Sequence, residues 1–264
     1  MEVVSVEADD LEIVDKKRPK NIVLKVTKII LLDIVLLVFY FFPVIIFYVW
    51  RQKVGFRTGF FCNDNSIRYP YVKSRISQGN IAAQSLLVAP VILIFSEILI
   101  QFRNKRQWSV IYARITKYFH GFFICMSFTY VPKLFRGTLR PHFMDVCVPN
   151  VDCSAPENQL RFIEDYECTG ENNSIDVFMS FPSVHSAAAS FIAIYLIFYF
   201  GTRVKQIKVR LCLQFLLLIY AYSIGLSRIA EHYHHTSDVI AGAAIGGLSA
   251  FASAKYFENF FEIP

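Results

Sequence analysis

The sequence predicts an all-α integral membrane protein, a single bundle of six transmembrane helices. Of its 264 residues, 55% are hydrophobic, and the mean hydropathy is +0.41. A soluble domain carries a larger polar share, because its surface must face water. A helix needs about 20 mostly apolar residues to cross the hydrocarbon core of a bilayer. Six segments approach that length: 29–50, 81–102, 110–131, 184–200, 211–226 and 239–257.

The chain divides into one membrane domain and two short tails. Residues 1–21 lack the apolar core and the cleavage site of a signal peptide, so we expect a flexible cytosolic tail there. Residues 22–257 hold the six helices, and residues 258–264 form a short C-terminal tail. Six crossings place both tails on the same side of the membrane.

Loop charges predict the orientation. The loops after the second and fourth segments contain basic residues and no acidic ones: Arg103, Lys105, Arg106, Arg203, Lys205, Lys208 and Arg210. Basic loops stay in the cytosol, which places the third loop outside. That loop contains the glycosylation sequon Asn172-Asn173-Ser174. We therefore expect cytosolic termini and a glycosylated Asn172, in the plasma membrane or an endomembrane.

Four of the six cysteines fall in the predicted outer loops: Cys62, Cys147, Cys153 and Cys168. Disulfides form in an oxidising lumen or outside the cell, and four cysteines allow three full pairings. The sequence does not choose among these pairings or exclude free thiols.

Charged side chains beside membrane segments are costly, so clusters of them at helix ends need an explanation. The first cluster contains Lys133 and Arg140, seven residues apart. On a helix this spacing lies about 20° short of two full turns, so both cations would project from one face. Two cations on one face suit a phosphate group. A basic anchor for lipid headgroups is the alternative.

The second cluster, Pro182-Ser183-Val184-His185, precedes a long apolar run. Pro and Ser are residues typical of helix starts, and a helix N-terminus offers free N–H groups to an anion. His185 would then stand at the mouth of an anion site.

The third cluster runs from Ser227 to Asp238 and includes Arg228 and His234. His234 and Asp238 are four residues apart, so on a helical turn the carboxylate could orient the imidazole. A nucleophilic histidine needs that support. The neighbouring histidines raise the alternative of a zinc site, but the outer loops lack a second compact set of ligands. We therefore expect no metal and no other cofactor.

Together the clusters supply every group that phosphoryl transfer requires. The three cations can bind the phosphoryl oxygens. His234 can attack phosphorus while Asp238 supports the imidazolium, and His185 can protonate the departing alkoxide. The chemistry therefore proceeds without a metal.

These clusters resemble the three motifs of the type-2 phosphatidic acid phosphatase superfamily. The motifs read Lys, six residues, Arg-Pro; then Pro-Ser-Gly-His; then Ser-Arg, five residues, His, three residues, Asp. Here they occupy 133–141, 182–185 and 227–238. Residues 59–71 further resemble the first outer loop of animal lipid phosphate phosphatases.

The resemblance implies a metal-independent lipid phosphate phosphatase whose site faces the extracellular space or a lumen. Its substrates would be phosphatidic acid, lysophosphatidic acid, sphingosine 1-phosphate or ceramide 1-phosphate. His234 would form the phosphohistidine, His185 would be the general acid and Asp238 would stand behind His234. The phosphate would be bound by Lys133, Arg140, Ser183, Val184 and Arg228.

Val184 departs from the family pattern, which has glycine at that position. Glycine permits positive φ and close approach to a ligand, whereas a β-branched residue resists the left-handed region. Either the loop keeps an ordinary backbone conformation and still donates its N–H, or phosphate binding is weaker. We expect a reduced rate and not inactivity, because every charged and acid–base residue of the motifs is present.

Three other functions compete with this interpretation. A catalytically weak or inactive relative would serve as a lipid-binding scaffold, and an enzyme of the same fold would act on a soluble phosphate. A transporter would have broken helices and polar residues at mid-membrane. The expected partners are the bilayer and its lipid phosphates, with no nucleic acid. The small-residue face of Gly242, Gly246 and Gly247 suits helix packing within the bundle, and a homo-oligomer is the alternative.

Overall fold

The computed structural model describes residues 19–54, 58–101, 107–171 and 174–257. It contains the helices α1 Pro19–Val54, α2 Gln78–Ala83, α3 Ala89–Gln101, α4 Gln107–Arg136, α5 Phe143–Cys147, α6 Pro156–Gln159, α7 Val184–Arg203, α8 Ile207–Ala230 and α9 Thr236–Ala252. A π-helical turn, Gln84–Val88, joins α2 to α3, and a second one, Ser253–Phe257, extends α9. The chain forms two compact units, residues 1–39 and 40–264, and the described part of the first is the beginning of α1.

Five of the described helices are long and apolar enough to cross a membrane: Thr27–Trp50, Gln78–Ile100, Val184–Arg203, Ile207–Ala230 and Thr236–Lys255. They correspond to five of the six predicted segments. The remaining long helix, α4, has 30 residues but includes Arg114, Lys117 and His120, which make it less apolar. The helical membrane fold is confirmed, and the sixth crossing stays a prediction.

Helix α7 lies at the centre of the second unit. It packs against α4, α8 and α9, and more than half of its residues are buried. Its first turns consist of small residues, among them Ala187, Ala188 and Ala189, all nearly inaccessible to solvent. Short side chains let neighbouring backbones approach closely, as membrane helices require when packing replaces the hydrophobic effect.

The small-residue face of α9 packs against the first turns of α7. A Cβ on Gly246 would lie 2.1 Å from the carbonyl oxygen of Ala187, and one on Gly242 would lie 2.3 Å from that of Ser183. A Cβ on Gly247 would meet nothing within 4 Å. Two of the three glycines therefore allow α9 to pack closely against α7. This agrees with the predicted role of these glycines in packing within the bundle. The homo-oligomer stays a prediction.

The loop between α1 and α2 and the loop between α4 and α7 form a small folded cap. Strands β1, Phe60–Phe61, and β2, Phe162–Ile163, pair antiparallel, around a cluster that includes the buried Phe143. Disulfides join Cys62 to Cys153 and Cys147 to Cys168. The alternative of free thiols is therefore wrong for these four cysteines, and the structure selects one of the three pairings.

We expect Gly246→Ala to destabilise the protein, because the added methyl group cannot fit against the backbone of α7. Overpacking of this kind costs about 1–3 kcal/mol, or roughly 3–10 °C in Tm for a chain of this size. Thermal unfolding in detergent measures the effect. Gly247→Ala is the matched control and should leave Tm unchanged or slightly higher, since alanine favours the helix. Equal losses for both variants would contradict this account of the packing.

Candidate active site

A cavity of about 660 Å³ lies where α4 ends and α7 begins, and six of the predicted site residues line it: Lys133, Arg140, Val184, His185, Arg228 and His234. The three cations and the two histidines are all buried. Two further predicted residues, Ser183 and Asp238, lie directly beside these and are also buried. Asn172, the predicted glycosylation site, lies outside the described residues.

Lys133 and Arg140 meet in the cavity, but not on a shared helix. Helix α4 ends at Arg136 and Gly137 turns the chain with a φ of 54°, so Arg140 lies in the following loop. The prediction of a common helical face was therefore wrong. A long-range backbone pairing brings the cations together instead: the Arg140 N–H donates to Val177 O at 2.8 Å, and the Ser180 N–H donates to Thr138 O at 2.9 Å.

The two cations differ in their partners. Lys133 Nζ donates to the backbone carbonyls of Met179 at 2.7 Å and Ser180 at 3.4 Å. Arg140 Nε is buried and has no hydrogen-bond partner among the described residues. Burial lowers the pKa of Arg140, and the nearby Asp176 opposes this shift, yet a guanidinium stays protonated in proteins. An unpaired buried N–H on a fixed cation is costly, and an anion in the cavity would satisfy it.

Arg228, near the end of α8, is held by an ion pair and by hydrogen bonds. It forms an ion pair with Glu231 at 2.9 Å, and its Nη1 donates to Ser74 Oγ at 2.8 Å and to Ile76 O at 3.2 Å. The charge of Arg228 is therefore partly neutralised, and the orientation of its guanidinium group is fixed. Sequence reasoning missed these partners, because Ser74 and Ile76 belong to a distant loop.

The ring of Tyr233 stands near both arginines. The guanidinium carbons of Arg140 and Arg228 lie 5.3 and 5.6 Å from its centroid, within the range of cation–π attraction. Burial raises the pKa of Tyr233 to about 12, so the ring is neutral at physiological pH. Tyr233 directly precedes His234 in the third motif, but nothing in the sequence singled it out.

The second motif begins α7 as predicted. Ser183 is the N-cap, with its Oγ accepting from the Ser186 N–H at 3.4 Å. Val184 is the first residue of the helix, and it is not among the described residues with positive φ. The loop thus holds valine in an ordinary backbone conformation, the first of the two alternatives. His185 is buried, with Nε2 donating to Ile76 O at 3.1 Å.

His234 lies in the turn between α8 and α9, because α9 begins only at Thr236. The predicted shared helical turn of His234 and Asp238 is therefore wrong, although the side chains still approach, with Nδ1 3.7 Å from Oδ2. Asp238 Oδ2 accepts from Ser180 Oγ at 2.6 Å and from the His235 N–H at 2.9 Å. Ser180 Oγ also lies 3.5 Å from His234 Nδ1, so it bridges the pair.

Burial depresses the pKa of His234 well below the usual range of a histidine, and the nearby Asp238 carboxylate opposes this shift. The imidazole is therefore neutral near pH 7. Its Nδ1 faces Asp238 and Ser180, which leaves Nε2 as the nitrogen that can attack. Sequence reasoning missed Ser180, which stands just three residues before Ser183 but faces the third motif.

Within the described part of the chain, no group of three or more His, Cys, Asp or Glu side chains is arranged to hold a metal ion. His235 is not placed as a metal ligand beside His185 and His234, because its Nε2 contacts Leu139 O at 3.1 Å. The metal-free chemistry stays a prediction, to be tested in solution.

Comparison of the sequence with known proteins shows the family of this chain. The model of the PAP2 superfamily matches residues 106–262, more than half of the chain. Phospholipid phosphatase 1 of Mus musculus is 30% identical over 227 residues, covering 80% of this chain and 78% of the relative. Phospholipid phosphatase 2 of Mus musculus is 30% identical, covering 88% of this chain and 87% of the relative.

Phospholipid phosphatase 2 of Bos taurus is also 30% identical, over 78% of this chain and 75% of the relative. No solved structure matches the chain. The matched region contains helices α4 to α9 and all three motifs, with every predicted site residue that lines the cavity. The chain therefore belongs to the PAP2 superfamily.

Proposed function

We propose that this membrane protein removes phosphate from lipid phosphate monoesters through a phosphohistidine on His234, without a metal. The observation that carries the proposal is a single cavity lined by three buried cations and two buried histidines, in a chain whose described residues include five helices long and apolar enough to cross a membrane. The phospholipid phosphatases that it resembles support a lipid substrate. Phosphatidic acid, lysophosphatidic acid, sphingosine 1-phosphate and ceramide 1-phosphate are the proposed substrates.

The cations and the start of α7 bind the phosphate. Arg140 offers its unpaired Nε–H, and Arg228 and Lys133 add positive charge from two other sides. Ser183 offers its hydroxyl group, and the N-terminus of α7 at Val184 offers a backbone N–H group and the positive end of the helix dipole. Charge of this kind stabilises the equatorial oxygens of the transition state most strongly in a buried site.

The reaction then proceeds in two steps. His234 Nε2 attacks phosphorus as the bond from phosphorus to the lipid oxygen breaks, and His185 gives that oxygen a proton. Asp238, held by Ser180 and the His235 N–H, stabilises the imidazolium that forms. In the second step a water molecule attacks the phosphohistidine, His185 accepts its proton, and inorganic phosphate leaves.

The alternative is a catalytically weak or inactive scaffold. Val184 was the one sequence feature in its favour, and the ordinary backbone conformation of Val184 removes that argument. Every acid–base group is also in place. These observations favour an enzyme.

We further propose that the cavity faces the extracellular space or a lumen and that both termini are cytosolic. The two disulfides of the cap support this orientation, because disulfides persist in oxidising compartments.

Different substrates should separate the roles of the two histidines. We expect His234→Ala to lose activity on both phosphatidic acid and an aryl phosphate, because no phosphohistidine forms. His185→Ala should lose about 10²–10⁴-fold on the lipid and far less on the aryl ester, whose phenolate leaves without a proton. Phosphate release from both substrates measures this.

Trapping gives a second readout for the same variants. Acid-labile, base-stable phosphate should accumulate on His185→Ala protein with the aryl ester, and not on His234→Ala protein. Phosphate recovered on His185, or equal losses of His185→Ala on both substrates, would show that the roles are reversed.

Activity should survive chelation, since every proposed phosphate ligand is a cation, a hydroxyl or an N–H group. Turnover of phosphatidic acid in EDTA should equal turnover without it. Loss of turnover in EDTA with recovery on added Mg²⁺ or Zn²⁺ would overturn the metal-free mechanism.

Glycosylation tests the orientation. If the third loop is outside, Asn172→Gln should increase gel mobility, and glycosidase treatment of the parent protein should give the same shift. An epitope inserted in that loop and reached only from the cytosol would contradict the proposed orientation.

A further inference from the structure

The loop between α1 and α2 carries a serine whose hydroxyl group reaches a phosphate-binding arginine. Ser74 lines the cavity and is partly buried. Its Oγ accepts from Arg228 Nη1 at 2.8 Å and donates to Ile76 O at 2.8 Å. The single hydrogen of the hydroxyl group is therefore used within the loop, and a lone pair of the same oxygen faces the arginine.

The next two residues of the loop contact the same arginine or its counter-ion. Ile76 O accepts from Arg228 Nη1 at 3.2 Å and from His185 Nε2 at 3.1 Å, so one carbonyl joins the arginine to the proposed acid. The backbone N–H of Arg75 donates to Glu231 Oε1 at 3.3 Å. Glu231 in turn forms the ion pair with Arg228. The loop therefore holds both the arginine and the carboxylate that balances it.

The guanidinium group of Arg228 has few N–H groups left for a ligand. A guanidinium carries five, and this one makes four hydrogen bonds with described residues: from Nε to Ser227 Oγ, from Nη1 to Ser74 Oγ and Ile76 O, and from Nη2 to Glu231 Oε2. Beside these contacts, the second N–H of Nη2 can bind a phosphate. Because the guanidinium is a rigid plane, the contacts of Nη1 set the direction of that N–H.

The loop belongs to none of the three motifs. It also lies outside residues 106–262, which the model of the PAP2 superfamily matches. Ser74 and Arg228 are 154 residues apart in the chain. A role of Ser74 is therefore visible only from its contacts.

We propose that Ser74 is a positioning residue: its hydroxyl group orients the guanidinium of Arg228 so that the remaining N–H meets the phosphate of the substrate. The inference rests on the proposed phosphatase function. Ser74 acts through Arg228 and not on the reacting atoms. Hydrogen bonds to charged groups contribute more than those between neutral groups, so without this one the guanidinium turns away from the phosphate.

Removal of the hydroxyl group tests this role. We expect Ser74→Ala to lower kcat/KM about tenfold for both phosphatidic acid and a soluble aryl phosphate, because the two substrates share the phosphate that Arg228 binds. Ser74→Thr keeps a hydroxyl group and should stay within about threefold of the parent. Ser66→Ala is the matched control and should leave both rates unchanged, since Ser66 belongs to the same loop but lines a separate, smaller cavity.

Two results would overturn the proposal. A loss confined to the lipid would show that Ser74 acts through the acid His185 and not through Arg228. A Ser74→Thr protein no more active than Ser74→Ala would show that the hydroxyl group is not what matters.

A double-mutant cycle separates positioning from general damage to the fold. In an Arg228→Gln background the Ser74 hydroxyl has no guanidinium to orient, so Ser74→Ala should lower the residual kcat/KM by less than about twofold. A loss of about tenfold in both backgrounds would mean that Ser74 acts independently of Arg228, and the proposal would be wrong.

Phosphate binding separates this inference from the proposed function. Inorganic phosphate is the probe, and the rise of Tm with phosphate concentration gives an apparent Kd for the detergent-solubilised protein. We expect a Kd about tenfold higher for Ser74→Ala and unchanged for Ser66→Ala, whether or not the protein hydrolyses lipids. An unchanged Kd for Ser74→Ala, with phosphatidic acid still hydrolysed by the parent protein, would overturn the role of Ser74 and leave the proposed function standing.

Discussion

Repulsion among Lys133, Arg140 and Arg228 is the constraint around which this cavity is built. Three cations in one buried space repel each other strongly, because protein screens charge far less than water does. The protein offsets the repulsion with neutral and acidic groups: backbone carbonyls at Lys133, the Glu231 carboxylate at Arg228 and the ring of Tyr233 beside both arginines. These groups fix the cations without cancelling them. A phosphate that enters meets buried cations and hydrogen-bond donors that are already oriented.

The helix packing serves this arrangement. Gly242 removes the side chain that would separate α9 from the start of α7. The close approach lets the Ser183 N–H donate to Asp238 O at 3.0 Å, so the second and third motifs are joined through the backbone. Ser180 adds a side-chain link to the same aspartate. The proposed acid on α7 and the proposed nucleophile in the turn before α9 are therefore positioned by the packing of α7 against α9.

The cavity also lies between two environments, water and the hydrocarbon of the membrane. Its catalytic groups need a polar and partly dry space, whereas a lipid substrate keeps most of its surface in hydrocarbon. The folded cap, held by the Cys62–Cys153 and Cys147–Cys168 bonds, contributes Val146 and Val148 to the lining of the cavity, and Tyr48 and Tyr130 line another part of it.

The sequence by itself determined the helical membrane class, five of the crossings, the start of α7 after Ser183, and six residues that line the cavity, including its three cations and both of its catalytic-site histidines. These features are local or compositional: apolar runs, caps and motif spacing carry them. It misjudged how Lys133 meets Arg140 and how His234 meets Asp238, since α4 ends between the first two residues and α9 begins only between the second two. Only the tertiary structure decided these contacts, the disulfide pairing, and the roles of Ser180 and Tyr233. Each depends on segments far apart in the chain, and helical spacing says nothing about which distant backbone a side chain will meet.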